Sequence, residues 1–214
     1  MGAALSSVHD AINKADDLKG KQDEVNEALT NMIQMANDHL TLFNERIRND
    51  QHDTHLIPID QIVTHYEYVQ CVTSQEDTIG PAIQQAVKDF SSGSVADGIA
   101  KTAGNMITKL LGQESGSRQI QTQYLISVDP LGGISRLDTT YFVYTFKAEG
   151  FKKVVGSVVA SCVVKSSAKT EAMSENTLKV LVNQCFDSVD VEKRKEIYHE
   201  LVEEFRKLKK KHDD

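Results

Sequence analysis

Residues 117–166 carry the clearest pattern of hydrophobic and polar positions in the chain. Over 118–129, apolar or β-branched residues alternate with polar ones, which is typical of a strand with one buried face. The Pro-Leu-Gly-Gly sequence at 130–133 then indicates a turn. A run of β-branched and aromatic residues after it predicts a second strand over 134–148.

A third strand is predicted over 151–166, after the short turn at Glu149-Gly150. This strand is apolar on both faces, with Val158 and Cys162 on one face and Val159 and Val163 on the other. A strand of this kind is central and covered on both sides. Because the connections are short, neighbouring strands are antiparallel. The fold class is therefore α+β, with an antiparallel β-meander over about 118–166 covered by N-terminal and C-terminal helices.

Helical periodicity dominates the chain before and after the meander. Apolar residues three or four positions apart predict helices over 5–15, 22–47, 78–90, 95–112, 175–186 and 191–210. The segment 59–69 also has a helical face, beginning at Pro58, with a strand over residues 63–73 as the alternative. Ser174 is placed to cap the helix that follows it.

Length and composition are those of an ordinary globular protein. With 214 residues, the chain is predicted to form one domain over 1–214, in which 1–20 is a mobile, lipidated segment. The formal net charge of −7 argues against a nucleic-acid partner. Three widely spaced cysteines without a CxxC pair fit buried thiols in a reducing compartment. No apolar run is long enough to span a bilayer, and no secretory signal is expected.

The first six residues, MGAALS, match the pattern for N-myristoylation of Gly2 after removal of Met1. The modification needs a free glycine amine, small neighbours and a hydroxyl residue. The alternative is an ordinary start rich in small residues. Gly2 is the predicted lipidation site.

The helix predicted over 95–112 combines an apolar stripe with small residues and lysines. Such helices lie in the surface of a bilayer. The alternative is a closely packed helix whose glycines let it approach the sheet. The residues predicted to contact a membrane or a partner here are Val95, Ile99, Lys101, Met106 and Lys109.

A basic cluster near the C-terminal end supplies the other predicted contact residues, namely Lys207, Lys209, Lys210 and Lys211. Acidic residues precede these lysines in the same predicted helix, an order that suits the helix dipole and supplies ion pairs one turn apart. The lysines therefore have two interpretations, which are contact with anionic lipid and stabilisation of a helix end.

No motif for catalysis or phosphate binding occurs in the chain, so we expect neither an enzyme nor a cofactor. Asp50, His52, Asp53 and His55 are possible ligands of a divalent metal ion. A polar loop holds a metal poorly, however, and no distant cluster completes the set. We therefore predict no metal site.

These patterns predict a cytoplasmic, peripheral membrane-binding protein at the inner face of a membrane, with pore formation or membrane remodelling as further activities. An N-terminal lipid and amphipathic helices would bind anionic lipid. The alternatives are a scaffold that binds a protein partner or forms a homo-oligomer, and a helix-covered sheet that holds a small apolar ligand. The side chains suggested for such a ligand cavity are Tyr124, Phe142, Tyr144 and Phe146.

Overall fold

The computed structural model describes residues 22–49, 57–72, 93–111, 118–129, 131–146 and 156–213. The strands in these ranges are β1 (Ile59–Val72), β2 (Arg118–Val128), β3 (Ile134–Thr145) and β4 (Ser157–Ala168). The helices are α1 (Gln22–Arg48), α2 (Gly93–Leu111), α3 (Glu175–Cys185) and α4 (Val191–Asp213), with a 3-10 turn at Thr170–Ala172. This order confirms the α+β fold and the meander formed by β2, β3 and β4.

The strands form one four-stranded sheet in the order β1-β4-β3-β2, and every neighbouring pair is antiparallel. The two inner strands, β3 and β4, are buried along nearly their whole length. The prediction that the third strand of the meander is central and covered on both sides is therefore confirmed.

Helix α1 covers one face of the sheet. Its apolar residues recur every three or four positions, so they form one stripe along the helix. Acidic residues begin the helix and Arg46 and Arg48 end it, which complements the helix dipole. The buried residues of the stripe are Val25, Leu29, Ile33, Ala36, Leu40, Phe43 and Ile47. They belong to the same apolar cluster as Phe142, Val158, Ala160, Cys162 and Val164 of the sheet.

Helices α2, α3 and α4 pack against the opposite face. Ile99, Leu178 and Ile197, one from each helix, belong to one buried cluster with Leu137 and Tyr141 of β3. The predicted cap at the start of α3 is present, since the Thr177 N–H donates to Ser174 Oγ over 3.1 Å. The molecule thus has three layers, with the sheet in the middle.

Strand β1 corrects the helical interpretation of residues 59–69. The segment pairs with β4 from Ile59 to Val72, with irregularities near Ile62. Its β-branched and aromatic residues suit a strand. The inner strand β4 would otherwise leave one edge of backbone amides and carbonyls without partners, which is costly in a buried strand. The alternative of a strand over 63–73 was the better interpretation.

Burial in β2 also departs from the expected alternation. The strand is mostly exposed at its beginning and buried on both faces near its end, so Ile120 is 40% exposed whereas Ser127 is fully buried. An edge strand extends beyond its covering layers at one end, and burial then changes along the strand. The helices predicted over 5–15 and 78–90 lie outside the described residues.

Candidate functional site

The apolar stripe of α2, predicted to face a membrane, points into the protein core. Ile99 is fully buried, and Met106 is partly buried and packs against the same core cluster. Lys101 is exposed. Val95 and Lys109 lie within the helix, but the structure does not describe their side chains. This arrangement favours the alternative of a closely packed helix.

Gly98 is the point of closest approach between α2 and its neighbours. A Cβ atom at this position would lie 2.6 Å from Ile197 Cδ1 and 3.3 Å from the Phe186 ring. The Thr102 hydroxyl donates to the Gly98 carbonyl over 2.9 Å, so it satisfies its hydrogen bond within the helix. The small residues of α2 therefore allow close packing against α4 and the turn before it.

The C-terminal lysines are partly engaged in local contacts. Lys207 Nζ lies 3.4 Å from Glu204 Oε2, although the lysine side chain remains 67% exposed. Lys209 Nζ lies 5.5 Å from the centre of the Phe205 ring and donates to the Glu171 carbonyl over 3.4 Å. Lys210 is exposed. Lys211 is helical, but its side chain is not described, and Gly2 lies outside the described residues.

The turn between β2 and β3 exposes an apolar side chain, that of Leu131. The sequence pattern indicated only a turn at this position. Leu131 is 101% exposed, against 62% for Leu42, the next most exposed large apolar side chain in the described ranges. The backbone is held by hydrogen bonds from the Asp129 N–H to the Gly133 carbonyl and from the Gly132 N–H to the Asp129 carbonyl, both 3.0 Å. Both glycines have positive φ, which fixes the tight turn.

Glu204 joins this turn to the basic end of α4. The Gly133 N–H donates to Glu204 Oε1 over 2.8 Å, and the other oxygen of the same carboxylate faces Lys207. On the other side of the turn, Lys165 Nζ lies 2.6 Å from Asp129 Oδ1. These contacts hold the turn that carries Leu131 against Glu204, which lies one helical turn before Lys207. The signal in the sequence was a large apolar residue within an otherwise small, turn-forming segment.

A separate groove lies between α3 and α4, with a volume of about 280 Å³. Apolar side chains form much of its lining, and three cationic side chains contribute to it. The lining residues are Lys179, Val182, Asn183, Val191, Arg194, Lys195 and Tyr198. This groove was not predicted, because its cations come from two helices that the sequence does not place side by side.

A second cavity, of about 340 Å³, lies between α2, β2 and the turn after α3. Its polar lining consists of amides, hydroxyls and one carboxylate, and Met106 and Leu110 contribute apolar side chains. The polar lining residues are Thr102, Asn105, Gln121, Gln123, Asp187 and Ser188. Lysine and arginine do not occur among the described residues of this lining, so the cavity suits a neutral or cationic molecule.

The aromatic residues suggested by the sequence for an apolar ligand cavity line neither the groove between α3 and α4 nor the cavity beside β2. Phe142 is fully buried in the apolar cluster that includes α1. The ring centres of Tyr144 and Phe146 are 5.1 Å apart. Arg136 Cζ lies 5.7 Å from the centre of the Tyr124 ring. None of these four aromatic residues is among the described lining of the groove or the cavity.

The three cysteines are free and buried. Burial raises the pKa of Cys71 to about 11 and the pKa values of Cys162 and Cys185 to about 12. A thiol with a raised pKa is a poor nucleophile at neutral pH. The residues that the structure describes contain no cluster of three or more potential metal ligands among His, Cys, Asp and Glu. The metal-ligand pattern at 50–55 lies outside them.

None of the helices within the described ranges is long and apolar enough to cross a membrane. Comparison of the chain with protein-family models, with curated proteins and with solved structures found no match.

Proposed function

We propose that this protein binds peripherally to anionic membranes through one end of the molecule. That end consists of the turn between β2 and β3, which carries Leu131, and the last two turns of α4, which carry Lys207 and Lys210. We call it the hairpin end. The observation that supports the proposal is the full exposure of Leu131 on a turn whose Gly133 N–H is bound by Glu204, the carboxylate that also faces Lys207.

The energies are appropriate for reversible binding. Transferring one leucine side chain from water to an apolar environment contributes about 1.5–3 kcal/mol. Each lysine near an anionic surface adds about 1 kcal/mol. A myristoyl chain on Gly2 gives only marginal binding by itself, so a second contact of this kind would make membrane association stable.

The apolar stripe of α2 is part of the core, so α2 does not supply the initial contact with the membrane. Pore formation would require α2 to separate from α4 and β2, with loss of the close packing at Gly98. The hairpin end, by contrast, is available without any rearrangement.

Liposome flotation of the full chain, expressed in a eukaryotic host, tests the proposal. Wild-type protein should float with anionic vesicles, and Leu131→Ser and Lys207→Gln should each reduce the bound fraction. Gly2→Ala should reduce it further if the N-terminus is myristoylated, which a mass measurement determines. Dye release from the same vesicles reports pore formation.

Matched controls come from other exposed positions. Leu42→Ser removes an exposed leucine from α1, and Lys101→Gln removes an exposed lysine from α2. Both variants should float like wild type. The proposal is wrong if wild-type protein remains unbound to anionic vesicles, or if Lys101→Gln weakens binding while Leu131→Ser does not.

The cavity between α2 and β2 favours a second candidate function, which is binding of a small polar molecule. Gln123 Nε2 donates to the Cys185 carbonyl over 3.4 Å, and Thr102 Oγ1 lies 3.5 Å from Ser188 Oγ. These contacts hold polar groups around the cavity while leaving other donors and acceptors available. Native mass spectrometry of the purified protein should then show a bound small molecule that Gln123→Leu loses.

A further inference from the structure

The groove between α3 and α4 contains a buried nitrogen atom, Arg194 Nε, that lacks a hydrogen-bond partner. No acceptor among the described residues contacts it. No ion pair joins Arg194 to a carboxylate in the described part of the chain. A buried donor without an acceptor destabilises the folded state, and the effect is larger when the group is charged.

Two lysines accompany Arg194 in the lining. Lys179 is exposed and has no ion-pair partner among the described residues. Lys195 pairs with Glu192 at 2.8 Å, but these side chains are 60% and 79% exposed, so water screens the pair. The groove is therefore a positively charged site on a protein whose formal net charge is −7.

The remainder of the lining is largely apolar. Val182 is buried, Tyr198 is partly buried, and Val191 is 55% exposed although it lies at the start of α4. Val191 therefore adds exposed apolar surface to a lining that also contains three cations. A ligand with an anionic head and an apolar chain would satisfy both parts of the groove.

We infer that this groove binds a single-chain amphiphile with a carboxylate head, of the fatty-acid class. The planar guanidinium presents two parallel N–H donors, which match the two oxygens of a carboxylate. Bound in this way, the carboxylate would also be attracted by Lys179 and Lys195, and the alkyl chain would cover Val182, Val191 and Tyr198.

This site is distinct from the hairpin end. Along α4, Arg194 and Lys207 are separated by roughly 20 Å at 1.5 Å per residue. The Val191 end of the helix contributes to the groove, and the Glu204 region contacts the turn. The inference consequently does not depend on membrane binding and can be tested without vesicles.

Decanoate, kept below its micelle concentration, is a suitable probe. It would be titrated into the full chain by calorimetry, and amide shifts in NMR spectra would locate the site. Decanoate should bind with a Kd below about 1 mM and shift the amides of Val182, Val191 and Tyr198. Decyltrimethylammonium, which has the same chain and the opposite charge, should not bind.

Variants separate this site from general binding to lysines. Arg194→Gln should weaken decanoate binding about tenfold or more, because a charge-assisted bidentate contact is lost. Arg194→Lys should fall between Arg194→Gln and wild type. Lys169→Gln removes an exposed lysine outside the groove and should change the affinity less than about twofold.

Several results would overturn the inference. These are no binding of decanoate up to about 1 mM, equal binding of decyltrimethylammonium, and shifts confined to residues outside the groove. Unchanged affinity in a folded Arg194→Gln variant would have the same meaning. If Arg194→Gln does not fold, the shifts in wild-type protein and the affinity of Lys179→Gln decide the question.

Discussion

Replacing Gly98 with alanine tests whether the small residues of α2 serve close packing. Two effects oppose each other at this position. Alanine in a helix interior is about 1 kcal/mol more favourable than glycine. The added Cβ would lie 2.6 Å from Ile197 Cδ1, which is closer than such atoms approach, and 3.3 Å from the Phe186 ring. Overpacking of this kind costs about 1–3 kcal/mol, so we expect net destabilisation of up to about 2 kcal/mol.

The double variant identifies the atom that causes the effect. Ile197→Val removes Cδ1, and by itself it should lower the free energy of unfolding by about 0.5–1.5 kcal/mol. In that background the new methyl group has space, so Gly98→Ala should become neutral or stabilising. The coupling free energy between the two substitutions should therefore be at least about 1 kcal/mol.

Urea unfolding followed by circular dichroism measures the four free energies of the cycle. Ala100→Gly is the control, because Ala100 lies in the same helix and is only partly buried. It should destabilise by about 1 kcal/mol and show no coupling to Ile197→Val. If Gly98→Ala stabilises the protein equally in both backgrounds, α2 does not pack against α4 as described, and its apolar stripe becomes available for a membrane.

Three further predictions test other parts of the structure. The chain contains no tryptophan, so Leu131→Trp gives a unique fluorophore; its emission should shift to the blue on anionic vesicles, whereas that of Leu42→Trp should not. Burial, followed by nearby arginines, lowers the pKa of His39. Because the unfolded chain then binds the proton more readily, His39 destabilises the fold as pH falls below about 6.5. Stability of His39→Gln should decline less between about pH 7 and pH 5, and an unchanged pH profile would contradict this. Asp138→Ala should lower the free energy of unfolding by about 3–5 kcal/mol, because the buried Arg136 would lose its carboxylate partner. Arg136 is 1% exposed, and its Nη2 lies 2.8 Å from Asp138 Oδ1. The pair substitution Arg136→Met with Asp138→Leu should recover most of the loss, and equal instability of both variants would refute the reasoning.

Local periodicity was sufficient to predict much of the fold. The stripe of α1 and the doubly apolar strand β4 are properties of short segments, and the structure confirms both. The position of β1 was harder to predict, because residues 59–69 satisfy helical and strand patterns together. The open edge of β4 decides between them, and that edge exists only after the sheet has formed.

The candidate sites were less predictable, because they depend on contacts between distant segments. Lys207 was singled out from the sequence, but Leu131 was not. The contact through Glu204 joins residues on β2–β3 and α4 that are far apart in the chain. Similarly, the apolar stripe that contains Ile99 fits the sequence pattern of a membrane-facing helix as well as that of a core helix. The burial of Ile99 in the core and the packing of Gly98 against Ile197 distinguish the two.

The net charge of the protein constrains how the hairpin end can act. A molecule with a formal charge of −7 is repelled by an anionic surface at long range. Screening limits that repulsion to about 8–10 Å at physiological salt, so Lys207 and Lys210 gain attraction only when the hairpin end is nearly in contact. The apolar contact of Leu131 does not weaken with salt, because it has no charge. Moderate salt should therefore affect binding less than it affects a protein held by lysines alone, and removal of Leu131 should make the remaining binding more sensitive to salt.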